Sequence, residues 1–157
     1  MSKAVAQPTE SLANPLPYTA TIMVRDTCLC LHVQRAARAL ARRFDEALRP
    51  LDLTNGQFSL LMALNRPEPP PMAPVAELLA MDRTTLTANL KPLERRGLLE
   101  ILVNPNDRRS RRLRLTEAGR DLLVRALPIW RETHGVVDDL LRQGGPDILR
   151  ADLRALS

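Results

Sequence analysis

The stretch that decides the fold is residues 82–115, DRTTLTANLKPLERRGLLEILVNPNDRRSRRLRL. It opens with Asp82, a residue type favoured at helix N-caps, and leucines then recur at helical spacing until Gly97, a residue type common just past a helix end. An apolar run of strand length follows. After the turn residues 104–107, charged and apolar residues alternate with the period of a strand. The stretch therefore predicts a helix followed by a two-stranded hairpin.

Two shorter helices are expected ahead of this stretch. Thr54 and Gln57 are spaced as a capping box and predict the start of the first. Its expected buried positions are Phe58, Leu61, Met62 and Leu64. Five prolines in residues 67–74 predict an extended loop, and the second short helix is expected over residues 75–79. A short helix joined by a tight turn to a capped helix and then a hairpin describes a winged helix-turn-helix.

Long amphipathic helices are predicted on both sides of this lobe. Apolar residues recur at intervals of three and four over residues 27–49, and Pro50 then ends the helix. Thr116 is a cap for the second long helix, which Pro128 is expected to bend. A short terminal helix is predicted over residues 147–156. The predicted fold class is mainly α with a small β-hairpin wing (α+β), a winged helix-turn-helix with long terminal helices.

Length and composition exclude several classes of protein. The chain has 157 residues, enough for one domain with its own core. Residues 1–20 contain three prolines and are predicted to form a flexible arm, while residues 21–157 form a single domain. No apolar run approaches the ~20 residues of a membrane span, and no signal-peptide pattern is present, so a cytoplasmic location without membrane contact is expected.

Site chemistry typical of enzymes and metalloproteins is absent from the sequence. There is no P-loop, nucleophile elbow, glycine-rich dinucleotide turn or recognisable pair of carboxylates, so we expect neither an enzyme nor a cofactor. The two cysteines, Cys28 and Cys30, do not make a disulfide framework. No Cys/His spacing fits a zinc site, so no metal is expected.

Positive charge is concentrated in one part of the chain. Lysine and arginine total 23 against 18 acidic residues, a formal net charge of +5. Between Arg83 and Arg125, 11 basic residues accompany 5 acidic ones, a balance of +6, whereas the remainder has 12 and 13, a balance of −1. Phosphate contacts would require charge at this place. Aromatic residues make up only 3%, too few for single-strand binding by stacking, so double-stranded DNA is the predicted partner.

The face of the central helix opposite its leucines carries the candidate base-reading residues. Short polar side chains let a helix lie deep in the major groove, where threonine hydroxyls and methyls can contact base edges. The candidate DNA-binding residues here are Arg83, Thr84, Thr85, Thr87, Ala88, Lys91, Arg95 and Arg96. Pro92 lies inside the same helix and is expected to kink it, since proline lacks an N–H and its ring clashes with the preceding turn.

The predicted hairpin tip is rich in arginine. Its candidate DNA-binding residues are Asp107, Arg108, Arg109, Arg111 and Arg112. Arginine at a hairpin tip suits a narrow, negatively charged minor groove, and Asp107 is expected to orient one arginine through a bidentate ion pair. The alternative is a winged-helix module that binds only proteins, which would not need a cationic tip. A steep fall of DNA affinity with salt separates the two.

Four runs of sequence resemble the MarR family of transcriptional regulators, over essentially the whole chain from about Cys28. They are Leu53-Thr54…Gln57-Phe58, Asp82-Arg83-Thr84-Thr85-Leu86-Thr87, Leu93-Glu94-Arg95-Arg96-Gly97-Leu98 and Asp107-Arg108-Arg109-Ser110…Leu113-Arg114-Leu115-Thr116…Gly119. The resemblance implies a homodimeric regulator, commonly a repressor, that reads a palindromic operator. Residues 27–50 and 116–157 would then be dimerisation helices and residues 54–115 the DNA-binding lobe. On the family's pattern Arg109 enters the minor groove with Asp107 holding it.

Members of this family usually respond to small aromatic acids or to oxidants. The first signal implies a phenolic or carboxylic effector between the dimerisation helices and the DNA-binding lobe. Candidate residues for its pocket are His32, Arg35, Trp130 and His134. For each of them, a place in the core or at an interface is the simpler interpretation.

Thiol oxidation is the alternative signal, and it is part of a stress response in this family. Cys30 lies 24 residues before Thr54, where the family's organic-hydroperoxide sensors carry their reactive cysteine. A helix dipole favours the thiolate in the first turn. Cys28 is two residues away and faces another side of the helix, so a mutual disulfide is not expected. Those sensors assist the cysteine with tyrosine hydroxyls, but Phe44 and Asn55 occupy the matching positions here.

Overall fold

A computed structural model describes residues 16–105, 107–141 and 144–156. The chain divides into two compact units, Met1–Arg38 and Ala39–Ser157. In order, the elements are α1 (Tyr18–Thr27), α2 (Leu29–Leu48), a 3-10 turn (Arg49–Leu51), α3 (Asn55–Ala63), α4 (Met72–Leu78), α5 (Arg83–Arg95), β1 (Leu99–Asn104), β2 (Asp107–Leu115), α6 (Glu117–Asp138) and α7 (Gly145–Ala155). This order confirms the predicted winged helix-turn-helix, mainly α with one hairpin.

The first unit contains a helix that the sequence did not predict. Residues 1–15 of the expected arm lie outside the described part of the chain, but α1 begins at Tyr18, inside that arm. Pro17 occupies the N-cap with an extended backbone, φ −68° and ψ 148°. Proline is tolerated at a helix start because its missing N–H would have no partner there. Pro17 therefore precedes the helix without preventing it.

Helix α2 is amphipathic, yet much of its apolar face is exposed. Cys28 separates it from α1 with φ −72° and ψ 104°, so the helix predicted from residue 27 begins at Leu29. Leu29 is 68% exposed, and Val33 and Leu40 are also exposed. Only Phe44 and Leu48 of α2 are buried. The apolar stripe of α2 is therefore largely uncovered by other described residues over the first four turns of the helix.

Helix α3 opens with the predicted capping box and lies in the core of the second unit. The hydroxyl of Thr54 accepts the Gln57 backbone N–H at 3.2 Å, and the Gln57 side-chain oxygen accepts the Thr54 N–H at 3.1 Å. The predicted inward residues Phe58, Leu61 and Leu64 are buried. Met62 is exposed, so that prediction was wrong. Leu60 is buried instead. Most of the circumference of α3 is buried, and Met62 lies on the narrow side that remains exposed.

Helix α4 begins three residues earlier than predicted. The sequence favoured a loop through Pro74, but the structure starts the helix at Met72 behind an extended Pro71. Pro74 then lies in the first turn, where backbone N–H groups have no partner within the helix. Here proline supplies a suitable φ without removing a hydrogen bond. The proline-rich loop is correspondingly shorter.

Helix α5 follows a tight turn and agrees with the prediction at both ends. Asp82 caps it, and Gly97 follows it with a φ of +69°, in the left-handed region that favours glycine. Leu86, Leu90 and Leu93 are fully buried. The helix runs without interruption through Pro92, so the expected distortion does not divide it.

The hairpin is longer than predicted and carries an irregularity in its second strand. β2 begins at Asp107, not at residue 111, and pairs antiparallel with β1. The register runs from Leu99 opposite Leu115 to Val103 opposite Arg111, and then moves to Asn104 opposite Asp107. Residues 108–110 thus have no partner in β1 and form a bulge. Alternation in residues 111–115 predicted only the regular part of the strand.

Helix α6 is tied closely to the end of α5. Thr116 caps it by accepting the Gly119 N–H at 3.1 Å, and the Thr116 hydroxyl donates to the carbonyl of Gly97 at 2.7 Å. Leu122 and Ala126 of α6 are buried against the core. The helix continues through Pro128 without a break. Within the described residues, no helix combines the length and the apolar character that crossing a membrane requires.

Candidate nucleic-acid interface

The turn between α4 and α5 sets the position of the central helix. Ala80 lies in this turn with a φ of +49°, a left-handed conformation unusual for a residue with a Cβ. The N–H of Met81 donates to the carbonyl of Ala76 at 2.9 Å, and the N–H of Leu79 to that of Val75 at 3.1 Å. These bonds close the end of α4 and direct the chain into Asp82. The two helices therefore form the tight helix-turn-helix that the sequence predicted.

Asp82 fixes the first turn of α5. Its carboxylate accepts the Thr85 backbone N–H at 2.7 Å and the Thr85 hydroxyl at 2.9 Å. These two hydrogen bonds hold the pKa of Asp82 below its ordinary value. Thr85 is thereby committed to the cap, so its hydroxyl is a donor to the protein and not a free group for a base edge.

The opposite face of α5 brings the predicted reading residues together. Thr84, Ala88 and Lys91 line one shallow surface hollow with Arg83 and Thr87. The Thr87 hydroxyl donates to the Arg83 carbonyl at 2.7 Å, which leaves its oxygen lone pair and its methyl for other contacts. The face is lined by short side chains with cations at both ends, a suitable shape for a major groove.

The two arginines at the end of α5 have different environments. Arg95 is exposed. The Nη1 of Arg96 donates to the backbone carbonyl of Asp52 at 2.7 Å, and its Nη2 lies 3.7 Å from the Asp52 carboxylate. Arg96 therefore joins the end of α5 to the turn ahead of α3. This contact is a structural use that the sequence did not indicate.

Arg108 and Arg109 lie in the bulge of the hairpin, and both are exposed. The Asp107 carboxylate restrains the backbone of this bulge. The Oδ1 of Asp107 accepts the Arg109 N–H at 2.9 Å. The bidentate ion pair predicted between Asp107 and an arginine does not occur among the described residues. The carboxylate instead satisfies a backbone donor that the bulge leaves without a ladder partner, and the Arg109 side chain extends from that anchored position.

The other two wing arginines contact the protein itself. The Nη1 of Arg111 donates to the carbonyls of Arg108 at 2.9 Å and Ser110 at 3.1 Å. The Nη1 of Arg112 lies 3.4 Å from the carbonyl of Pro69. Both side chains are half-buried. The sequence predicted that all four wing arginines bind DNA. In the structure, Arg111 instead contacts carbonyls of the hairpin, and Arg112 contacts a carbonyl of the proline-rich loop.

A cleft of about 460 Å³ separates the start of α5 from the wing. Its floor is apolar and includes Met72, Ala76 and Leu86, while Arg83 and Arg109 also line it. Because one cleft is lined by residues of both elements, the central helix and the wing belong to one continuous surface. That surface is concave and carries cations from both elements.

Of the predicted effector residues, Trp130 and His134 lie together on α6. Their ring centroids are 4.6 Å apart, and Trp130 stacks on Phe58 at 6.1 Å. Trp130 also lines an apolar cavity of about 350 Å³ with residues of α3, α4 and α6: Phe58, Ser59, Met62, Ala63, Leu78 and Leu127. The Nδ1 of His134 lies 3.3 Å from Asp138 Oδ2.

The remaining sensing candidates lie in the first unit. Arg35 and His32 are exposed, and the Nδ1 of His32 is 2.8 Å from the carbonyl oxygen of Cys28. Cys28 is half-buried, and its Sγ accepts the Leu31 N–H at 3.5 Å as a cap for α2. Cys30 is exposed in the first turn, where its Sγ accepts a hydrogen bond from the Gln34 side chain at 3.2 Å.

Sequence reasoning missed two polar residues of the wing. Asn104 was predicted only as part of a turn. Ser110 was named only as part of a run of sequence that resembles the MarR family. In the structure the Asn104 side chain donates to the Ser110 hydroxyl at 2.8 Å, and that hydroxyl donates to the Asp107 carbonyl at 3.1 Å. Small polar residues on both sides of a cluster of arginines were the available signal.

Comparison with known proteins identifies the family. The MarR family pattern matches residues 53–110. The chain is 30% identical over 120 residues to the organic hydroperoxide resistance transcriptional regulator of Bacillus subtilis, across 76% of this chain and 79% of that protein. It is 32% identical over 79 residues to the HTH-type transcriptional regulator BilQ of Clostridioides difficile, across 50% of this chain and only 53% of BilQ.

A solved structure agrees with the same assignment. The crystal structure of the M. tuberculosis transcriptional regulator MOSR in complex with DNA matches with a TM-score of 0.75 and 37% sequence identity, covering 82% of this chain and 92% of that one. Because this coverage exceeds the length of the helix-turn-helix and wing, the similarity includes flanking helices. The chain therefore belongs to the MarR family of DNA-binding, winged-helix transcriptional regulators.

Proposed function

We propose that the protein is a homodimeric repressor that binds a palindromic operator in double-stranded DNA and releases it when a small phenolic or carboxylic effector binds. The observation that carries the DNA-binding part is the continuous surface of α5 and the wing. It presents short side chains flanked by Arg83 and Lys91 on the helix and by Arg108 and Arg109 on the hairpin. A two-fold dimer would place two such surfaces about one helical turn of DNA apart, or a multiple of that.

Exposed apolar residues support the homodimer. Helix α7 is amphipathic and has no buried residue. Its apolar side chains are exposed together with one that follows α6: Leu140, Ile148, Leu149, Leu153 and Leu156. Leaving this much apolar surface in water is unfavourable by about 25 cal/mol per Å², so a second copy is the proposed cover.

A charge placed on this face is expected to separate the dimer. In the double variant Ile148→Glu/Leu153→Glu, two carboxylates would have to be buried without partners, at a cost of several kcal/mol. Light scattering after size exclusion should report a monomer, and operator binding should fall because one protomer contacts only a half-site. Ala151→Glu is the control, since it adds one carboxylate to α7 outside the apolar face. A dimer that survives the double variant contradicts this interface.

The cavity beside Trp130 supports release by an effector. Its volume of about 350 Å³ lies within the range of small-molecule sites, and its lining is apolar with Ser59 as a polar group. An aromatic ring would pack against Trp130 and Phe58. Because α3, α4 and α6 all line this cavity, a ligand there would bias the placement of the helix-turn-helix.

Thiol oxidation is the second candidate signal, favoured by the exposure of Cys30 and by the B. subtilis relative named for organic hydroperoxide resistance. In that reaction the Cys30 thiolate attacks the peroxide. The terminal oxygen is transferred to sulfur as a sulfenate, and the corresponding alcohol leaves. Cys30 lies in the first turn of α2, where its Sγ is already held by Gln34.

One release experiment distinguishes the two signals. Protein bound to DNA from upstream of its own gene is treated with cumene hydroperoxide or with a panel of benzoates and phenols, and release is followed by mobility shift. Ser59→Phe, which narrows the cavity, should abolish release by the acids and leave any peroxide response. Cys30→Ser should do the reverse. Acid release that persists in Ser59→Phe excludes this cavity, and peroxide release that persists in Cys30→Ser excludes the thiol mechanism.

A further inference from the structure

We propose that Asn104, Ser110 and Arg111 are positioning residues of the DNA interface, which hold the bulge at residues 108–110 in the shape that presents Arg109. The inference rests on the proposed role of Arg109 in DNA binding. Within the wing, Arg108 and Arg109 face the DNA, whereas Arg111 donates hydrogen bonds to backbone carbonyls of its own strand.

The bulge needs side-chain contacts to fix its shape, because the hydrogen-bond ladder between β1 and β2 does not restrain it. Between Val103 opposite Arg111 and Asn104 opposite Asp107, three residues of β2 have no partner in β1. Unpaired backbone of this kind samples several conformations, and ordering each residue on binding costs about 1 kcal/mol or more. A wing that is ordered before it meets DNA avoids this loss of affinity.

Two side chains lock one side of the bulge. The Asn104 amide donates to the Ser110 hydroxyl at 2.8 Å, and that hydroxyl donates to the Asp107 carbonyl at 3.1 Å. The chain of bonds therefore connects β1 to both ends of the bulge through one hydroxyl. Asp107 completes it by accepting the Arg109 N–H at 2.9 Å.

The guanidinium of Arg111 locks the other side. Its Nη1 donates to the carbonyls of Arg108 and Ser110, at 2.9 and 3.1 Å, so it contacts the residues immediately before and after Arg109. A planar donor that bridges two carbonyls restrains the peptide units between them. Burial follows the same division, since Asn104, Ser110 and Arg111 are half-buried. Arg108 and Arg109 are exposed.

A double-mutant cycle tests whether these residues act through Arg109. The probe is a fluorescent duplex selected by the wild-type protein from a random pool, and binding is measured by anisotropy at low salt with the full chain. Ser110→Ala and Asn104→Ala should each weaken binding about fivefold to tenfold in the wild-type background, as expected for one lost hydrogen bond. In the Arg109→Ala background the same changes should matter less than about twofold. Ser110→Thr, which keeps the hydroxyl, should restore binding.

Charge-preserving variants separate positioning from phosphate contact. Arg111→Lys keeps the positive charge but not the planar donor, and should weaken binding about tenfold. Arg114→Lys is the matched control on the same strand, where Arg114 pairs with Glu100, and it should bind as the wild type does.

The outcomes separate this inference from the function on which it rests. If Arg109→Ala binds normally, the wing assignment itself is wrong and this inference fails with it. If Arg109→Ala loses affinity but Ser110→Ala and Asn104→Ala cost the same in both backgrounds, or cost nothing, only the positioning role is overturned. Normal binding by Arg111→Lys overturns the assignment of Arg111.

Discussion

Arg109→Ala is expected to weaken operator binding by about a hundredfold or more. Arg109 is exposed on a bulge whose backbone Asp107 anchors, so its side chain is free to enter a groove. A narrow minor groove has an enhanced negative potential that favours arginine. A specific arginine contact to DNA contributes about 1–3 kcal/mol, and a two-fold dimer loses two of them. The sum of about 2–6 kcal/mol corresponds to roughly 1.5 to 4 orders of magnitude in affinity, and the middle of this range lies above a hundredfold.

The measurement is a mobility shift or anisotropy titration at fixed salt, with oligomeric state and thermal unfolding followed in parallel. Both should be unchanged, because Arg109 is exposed and its side chain makes no hydrogen bond or ion pair with the described residues. Arg114→Ala provides the control. It removes the same charge from the same strand, but Arg114 is paired with Glu100 on the hairpin. A hundredfold loss in both variants would indicate a general charge effect, and no loss in Arg109→Ala would exclude the minor-groove role.

The parts of the fold around the candidate interface that the sequence predicted correctly depend on local chemistry. A cap acts within one turn of helix, so Thr54 and Asp82 fix the starts of α3 and α5 wherever the helices pack. Gly97 likewise marks the end of α5 through its own backbone conformation. The face of α5 that carries the candidate base-reading residues can also be predicted from the sequence, because the buried positions of a helix determine its opposite face.

The parts that were missed depend on tertiary contacts. All wing arginines look alike in sequence, but Arg112 reaches a carbonyl of the proline-rich loop, 43 residues away along the chain. Arg96, at the end of α5, likewise reaches the carbonyl of Asp52 in the turn ahead of α3, 44 residues away. The register shift that creates the bulge is likewise set by cross-strand pairing. Composition predicts how much charge the wing carries, whereas only the packed structure separates the arginines that face outward from those that hold the backbone.

Gly119→Ala is expected to destabilise the fold by about 3 kcal/mol or more. A Cβ at this buried position would overlap the carbonyl oxygen of Leu98 and lie 2.7 Å from Leu115 Cδ1. The carbonyl has little freedom to move, because it accepts the Thr116 N–H at 3.2 Å, and Thr116 also holds the Gly97 carbonyl. Overpacking of a filled site costs about 1–3 kcal/mol, and loss of the hydrogen bonds at this joint adds to it.

Helix propensity acts in the opposite direction and provides the control. Alanine is favoured over glycine inside a helix by about 1 kcal/mol, so a glycine with free space around it should gain stability when replaced. Gly135 lies in the same helix, and apart from its own turns of helix no atom of the described residues comes within 4 Å of the position that a Cβ would occupy there. Gly135→Ala should therefore raise the midpoint of urea unfolding, whereas Gly119→Ala should lower it sharply.

Opposite shifts of the two midpoints would show that close approach at Leu98 makes position 119 require glycine, whereas equal shifts would contradict that explanation. The joint also connects the end of α5 to α6, because Thr116 and Gly119 meet the backbone of residues 97 and 98. The Gly119→Ala protein should therefore lose DNA affinity even at temperatures where it is still folded, as the end of α5 is no longer held against the start of α6.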